Sequence, residues 1–146
     1  MSRSTLLATA QSAIESYNKW DKSVILAVRA PDCIHQILPA STLQPPMNNE
    51  AYSGFLDIIL PIFRDMHLTV HDATVDEVEK RVVMHASSKG RTDVGEYGNE
   101  YMFSMWMTDD GKMVKRLEEF ADSKYSKDYF DKLRAAGGWD KEDRKE

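Results

Sequence analysis

The chain has 146 residues, 24 of them acidic and 19 basic, for a formal net charge of −5 at neutral pH. That length suits one domain with a sizeable core, and the acidic balance argues against a phosphate-binding face for nucleic acid. Hydrophobic residues make up 42% and charged residues 29%, a globular composition, and no apolar run reaches the roughly 20 residues that a bilayer span requires.

The single cysteine, Cys33, excludes an internal disulfide framework and a cysteine-rich zinc site. The N-terminus turns polar soon after Leu6, Leu7 and Ala8, without the continuous apolar core of a secretory signal, so a cytoplasmic protein is expected. Five of the eight methionines (Met84, Met102, Met105, Met107, Met113) fall within one stretch of thirty residues.

Residues 4–19 predict a helix capped by Ser4, with Leu6, Leu7, Ala10, Ala13, Ile14 and Tyr17 on one stripe. Asp21 caps a second short helix that Pro31 ends, and residues 33–38 form a short strand. Three prolines mark 39–48 as a loop. Asn48 caps a third helix with Tyr52, Phe55, Leu56, Ile59, Ile62 and Phe63 on its apolar face and Pro61 near its end. Strands follow at 67–75, 81–88, 97–108 and 112–123, with a loop at 90–96 and a hairpin turn at Asp110-Gly111. A last helix at about 126–136 stops at Gly137-Gly138. Residues 1–138 are read as one domain and 139–146 as a charged, disordered tail. Helices followed by a run of strands argue for an α+β domain, with helices on one face of an antiparallel meander and a cavity between the layers.

A two-residue turn at 110–111 makes paired residue numbers sum to 221 and places Glu119 opposite Met102. Glu119, Met102, Leu117, Ser104, Ala121, Glu100, Lys115 and Trp106 then share one face, read as the cavity wall. The other face, with Asn99, Tyr101, Phe103, Met105, Met107 and Phe120, is read as a homodimer contact. Glu119 loses solvation among apolar neighbours, the condition for acid–base work near neutral pH. Glu100 lies diagonally beside it, and His85 offers a second proton-transfer group. His67 and His71, four apart on a strand, stand about 13 Å from each other and make no tight metal pair. His35 is isolated, Cys33 has no evident activating partner, and no metal, nucleophile-elbow, dinucleotide or phosphate-loop motif occurs.

Trp20-Asp21, Arg29-Ala30-Pro31, the order of elements and the ending Asp110-Gly111-Lys112 to Glu118-Glu119-Phe120-Ala121-Asp122-Ser123 resemble the SnoaL-like branch of the nuclear-transport-factor-2-like superfamily over residues 4–136. Arg-Ala-Pro-Asp-Cys-Ile-His at 29–35, Pro-Ala-Ser at 39–41 and Asn-Glu-Tyr at 99–101 are similar to fungal meroterpenoid-pathway proteins, the terretonin- and austinol-type isomerases among them. The resemblance implies a cone-shaped curved sheet wrapped on N-terminal helices, a deep apolar pocket, a dimer, and cofactor-free acid–base chemistry. Glu119 before Phe120 matches an inward acid of the family's limonene epoxide hydrolase, whose other inward groups fall near His85 and Ser87 here; Leu38 stands where the ketosteroid isomerase base precedes a proline.

The expected function is a cofactor-free, metal-free isomerase or cyclase acting on an apolar polyketide or meroterpenoid intermediate, with hydrolytic cleavage accessible to the same groups. Glu119, His85 and Glu100 are the acid–base candidates. Tyr17, Trp20, Phe63, Met102, Ser104, Trp106 and Leu117 are the substrate-contact candidates. A dimeric scaffold without chemistry and an epoxide-hydrolase-like enzyme are the alternatives.

Overall fold

The computed structural model describes residues 2–137, so the charged tail at 139–146 lies outside the described residues. Ser2, rather than Ser4, caps the first helix, α1 (Arg3–Asn18), its hydroxyl accepting from the Thr5 N–H at 3.2 Å. Leu6, Ala10, Ala13, Ile14 and Tyr17 form the buried stripe of α1. Asp21 caps α2 (Lys22–Ala27). The chain then becomes extended earlier than Pro31 suggests: β1 runs Arg29–Leu38. Pro31 is accommodated because β1 is an edge strand, where a missing N–H interrupts no inner ladder.

A single 3-10 turn at Ala40–Thr42 leads to α3 (Asn49–Ile62), capped by Asn48, which accepts from the Ala51 N–H at 2.9 Å. Pro61 sits in the last turn of α3. There the Trp20 indole N–H donates to the carbonyls of Leu60 (3.1 Å) and Phe63 (2.9 Å), satisfying acceptors that a helix end leaves unpaired. That bond ties the end of α1 to the end of α3.

Four strands follow: β2 (Arg64–Asp76), β3 (Arg81–Thr92), β4 (Gly95–Met107) and β5 (Val114–Ala121), then α4 (Ser123–Ala135). The expected loop at 90–96 shrinks to a two-residue turn at 93–94, and Gly95 takes the positive φ of 122° that closes it. The sheet order is β1-β5-β4-β3-β2. Pairs β2–β3, β3–β4 and β4–β5 are antiparallel, but β1 pairs with β5 in parallel, so the sheet is not wholly antiparallel. The chain leaves β1 through α3 and returns to its side only after the meander, entering β5 in the same direction.

The long hairpin corrects the expected register. Met107 faces Val114, a sum of 221, but a bulge follows between Trp106 and Met107. Lys115 is the extra residue: Trp106 faces Arg116 and Phe103 faces Glu119, sums of 222. One inserted residue turns every later side chain of β5 over relative to β4. Glu119, Leu117 and Ala121 therefore share the helix-covered face with Tyr101, Phe103, Met105 and Met107. Met102, Ser104, Trp106 and Glu100 point to the other side with Phe120. The two faces expected for β4 are exchanged. Its odd-numbered residues, Tyr97 to Met107, are buried: Tyr101, Phe103, Met105 and Met107 form the core with α1, α3 and the inner side of β3, and Tyr97 packs in a second cluster with Phe63, Tyr129 and Leu133.

Candidate active site

Between the inner face of the sheet and α1, α3 and α4 lies a cavity of about 720 Å³. At its floor three lining residues, Tyr17, Tyr52 and Glu119, join two residues buried behind them, Arg29 and His35, in a chain of four contacts across four elements. Arg29 and His35 come from β1, Tyr17 from α1, Tyr52 from α3 and Glu119 from β5. Arg29 Nη2 lies 2.9 Å from His35 Nδ1, and His35 Nε2 lies 3.1 Å from Glu119 Oε1. The same Arg29 nitrogen donates to the Tyr17 hydroxyl at 2.9 Å, and the Tyr17 and Tyr52 hydroxyls are 2.7 Å apart. His35 stacks on Tyr52 with centroids 4.5 Å apart, and the Arg29 guanidinium lies 3.9 Å from the centre of the same ring.

These contacts assign the protons. A guanidinium has donors only, so His35 Nδ1 accepts from it. The ring therefore carries its hydrogen on Nε2 and donates it to Glu119 Oε1, leaving Oε2 for the cavity. The Tyr17–Tyr52 pair holds two phenol protons and uses one between its two oxygens, so one remains to donate into the cavity that both residues line. Arg29 is only 5% exposed and His35 1%, while Glu119, at 22%, reaches the open space. The backbone of His35 is pinned by reciprocal bonds with Met47, at 2.8 and 2.9 Å, which hold the ring in register with β5.

Above the floor the walls are apolar and aromatic: Trp20, Ile37, Phe55, Ile59, Phe63 and Phe103. Farther along β4, Tyr97, Asn99 and Tyr101 also line the space, and α4 closes one side of it.

The structure places Glu119, Tyr17, Trp20 and Phe63 in the cavity. It places the other expected residues elsewhere. His85 and Glu100 bond to each other at 2.6 Å on the opposite face of the sheet. Ser104 lies on that face too, under Arg81, whose Nε is 2.6 Å from its hydroxyl, and Arg81 stacks on Trp106. Met102 is 45% exposed there. Leu117 is on the inner face but is buried in the core rather than lining the cavity. The bulge at Lys115 is the common cause for Met102, Ser104, Trp106 and Glu100. Sequence reasoning missed Arg29, His35, Tyr52, Tyr97 and Tyr101. A signal was present for the first two, which open and close the Arg29–His35 segment, but nothing local joins His35 to a carboxylate 84 residues away.

No protein-family model matches the chain. An austinoid biosynthesis cluster protein F from Aspergillus calidoustus is 35% identical over 136 residues, covering 91% of this chain and 78% of that one. A relative from Aspergillus aculeatus named monooxygenase AacuP is 28% identical and covers 90% of each chain. Among solved structures, the BvnE pinacolase of Penicillium brevicompactum superposes with a TM-score of 0.90 at 26% identity, covering 92% of this chain and 98% of that one. A SnoaL-like polyketide cyclase fold from Shewanella denitrificans aligns with a TM-score of 0.72 at 9% identity, covering 87% and 97%; at that distance it shares the fold alone. The chain belongs to the family of the fungal austinoid-cluster proteins and shares the SnoaL-like fold.

Proposed function

We propose that the protein is an isomerase or cyclase of meroterpenoid biosynthesis that works by acid–base chemistry on its own side chains, with Glu119 as the proton-transfer group. One observation carries this reading: a carboxylate stands at the floor of an apolar cavity of about 720 Å³, oriented by a neutral histidine whose far nitrogen is held by a buried arginine. The austinoid-cluster relatives and the pinacolase support the pathway class and the type of reaction.

The geometry suits a carbon acid beside a carbonyl. Glu119 Oε2 removes the proton from the α-carbon, the electron pair of the broken C–H bond forms a C=C bond, and the carbonyl π pair moves onto the oxygen. The spare phenol proton of the Tyr17–Tyr52 pair stabilises that oxygen in the same low-dielectric space. Return of the proton from Glu119 to a different carbon completes an isomerisation. Attack of the enolate carbon on a second carbonyl within the same molecule closes a ring, and Glu119 returns its proton to the oxygen of that carbonyl. In either case the protein ends as it began, so the side chains present balance the reaction.

The alternatives fit less well. A scaffold has no use for an open, apolar cavity over an oriented carboxylate. An epoxide hydrolase of the expected kind needs a second acid bonded to the first, and the partner of Glu119 is His35.

Burial pushes the His35 pKa below its ordinary value, and the Arg29 charge pushes the same way; the Glu119 hydrogen bond opposes them. The folded protein thus favours neutral His35, the form that donates to Glu119. Because the folded pKa is depressed, the unfolded chain takes up the proton more readily once pH falls below about 6.5. The stability associated with neutral His35 is present above that pH and is lost below it, by at most about 1.4 kcal/mol per pH unit.

We also propose a homodimer, through the outer rather than the inner face of the sheet. Met102 and Phe120 face each other across β4 and β5 there and are 45% and 51% exposed, with Trp106 on the same face. Large neighbouring apolar groups on an otherwise polar sheet are suited to a second copy.

Three outcomes are expected. Glu119→Gln keeps fold and cavity but lowers turnover of austinoid-class intermediates by about 10²–10⁴-fold, measured by product chromatography; unchanged turnover contradicts the assignment. Between pH 7.5 and 5.5 the wild-type melting temperature falls further than that of His35→Gln, which cannot titrate at this position; parallel curves would place the titration elsewhere. Sedimentation equilibrium finds a dimer for the wild type and a monomer for Phe120→Glu, and a monomeric wild type ends the dimer proposal.

A further inference from the structure

The cavity has a second polar pole, away from Glu119. It is built on Asn99, which lies on β4 four residues from Phe103, the partner of Glu119. Every hydrogen-bonding capacity of the Asn99 amide is used. Its Oδ1 accepts from the backbone N–H groups of Glu100, at 2.8 Å, and Asp122, at 3.1 Å. Those two bonds fix which end of the amide is oxygen. Its Nδ2 then donates to the Tyr97 hydroxyl at 3.0 Å and to the Ser126 hydroxyl at 2.7 Å. Both hydroxyls are thereby cast as acceptors toward Asn99, and their own protons are shared among each other, the Tyr101 hydroxyl and whatever acceptor enters the cavity. Tyr97, Asn99 and Ser126 all line the cavity.

The arrangement is rigid. The Tyr97 ring packs edge-on against Phe63 at 5.0 Å and Tyr129 at 4.9 Å, and it is buried. Asp122, whose N–H binds Asn99, is also the cap of α4, so the amide joins β4, the end of β5 and the helix carrying Ser126. Burial raises the Tyr97 pKa, so the phenol keeps its proton at neutral pH.

We infer that the Tyr97 and Ser126 hydroxyls, held by Asn99, form a donor pair that binds an acceptor oxygen of the substrate at the end of the cavity remote from Glu119. This rests on the acid–base reading of Glu119 and deepens it by naming the substrate class: an apolar body with one carbonyl at the carbon that exchanges its proton and a second acceptor oxygen, a ketone or ester, at the far end. A hydrocarbon end offers the Tyr97 and Ser126 hydroxyls no acceptor, which is where selectivity against less oxidised analogues arises. Tyr97 and Ser126 act on binding and orientation, Glu119 on the proton.

The test uses the full chain and 1-tetralone labelled with ¹³C at its carbonyl, a bicyclic apolar ketone small enough for the cavity. Infrared difference spectra report the hydrogen bonding of its carbonyl directly. In the wild type the bound carbonyl band is expected below its position in hexane. Tyr97→Phe, which removes one hydroxyl and keeps the packed ring, loses most of that shift, and Ser126→Ala loses part of it. Asn99→Asp, nearly identical in shape, turns both hydroxyl protons toward the new carboxylate and abolishes the shift. Glu119→Gln leaves the band where the wild type has it. A band at the hexane position in the wild type, failure of the wild type to take up the ketone, or a shift that survives Tyr97→Phe each overturns the inference. A shift lost in Tyr17→Phe instead moves the oxygen site to the cavity floor and overturns it as well. Turnover of Glu119→Gln reads the base assignment separately, so the two can fail independently.

Discussion

The contact on which the site depends is the one between Arg29 and His35. A guanidinium only 5% exposed is costly unless its charge is answered, and here the answering carboxylate, Glu119, sits one imidazole away. The neutral ring transmits the interaction: it accepts from the cation and donates to the anion. Arg29 thus fixes the tautomer of His35, and His35 fixes the orientation of Glu119. The stacked ring of Tyr52 spreads over both cation and imidazole and keeps water from competing with either.

That constraint explains why the fold is arranged as it is around the site. The parallel pairing of β1 with β5 sets His35 opposite Leu117 and Ile37 opposite Glu119, so a residue near the start of the chain meets one near its end. The bulge at Lys115 turns Glu119 inward alongside Tyr101 and Phe103. The helices deliver Tyr17 and Tyr52 from opposite sides to the same guanidinium and to each other. The Trp20 indole, by closing the end of α3, holds the two helices in that relation. The outcome is a cavity with a charged, oriented floor, apolar walls and a second polar end at Asn99.

Much of the fold was legible in the sequence because its signals are local. The cap at Asn48, the apolar stripe of α1, the alternation in the strands and the Asp110-Gly111 turn all act over a few residues. The turn even gives the right pairing where it is closest, Met107 with Val114. What failed was the continuation of that register. A bulge leaves no composition mark, and one extra residue exchanged the faces assigned to Met102, Ser104, Trp106 and Met105. Glu119 reached the cavity all the same, because it lies beyond the bulge on β5 while its expected neighbours on β4 turned away. The methionine cluster divides in reverse of the sequence expectation: Met84, Met105 and Met107 fill the core, and Met102 is on the exposed face. His35 was unreadable as a partner because its ligands stand 6 and 84 residues away. Only the presence of Arg29 and His35 in one short segment hinted that they act together.

The site therefore depends on one protonation state. It requires His35 to be neutral, with its hydrogen on Nε2, in the folded protein at neutral pH. Nitrogen-15 NMR of the histidine-labelled chain, with His35 assigned through its loss in His35→Gln, measures this directly. The account predicts a protonated Nε2 and an unprotonated Nδ1 at pH 7. A proton on Nδ1, or a doubly protonated ring, would contradict it, because Arg29 could then no longer donate to His35 and the orientation of Glu119 would need another cause.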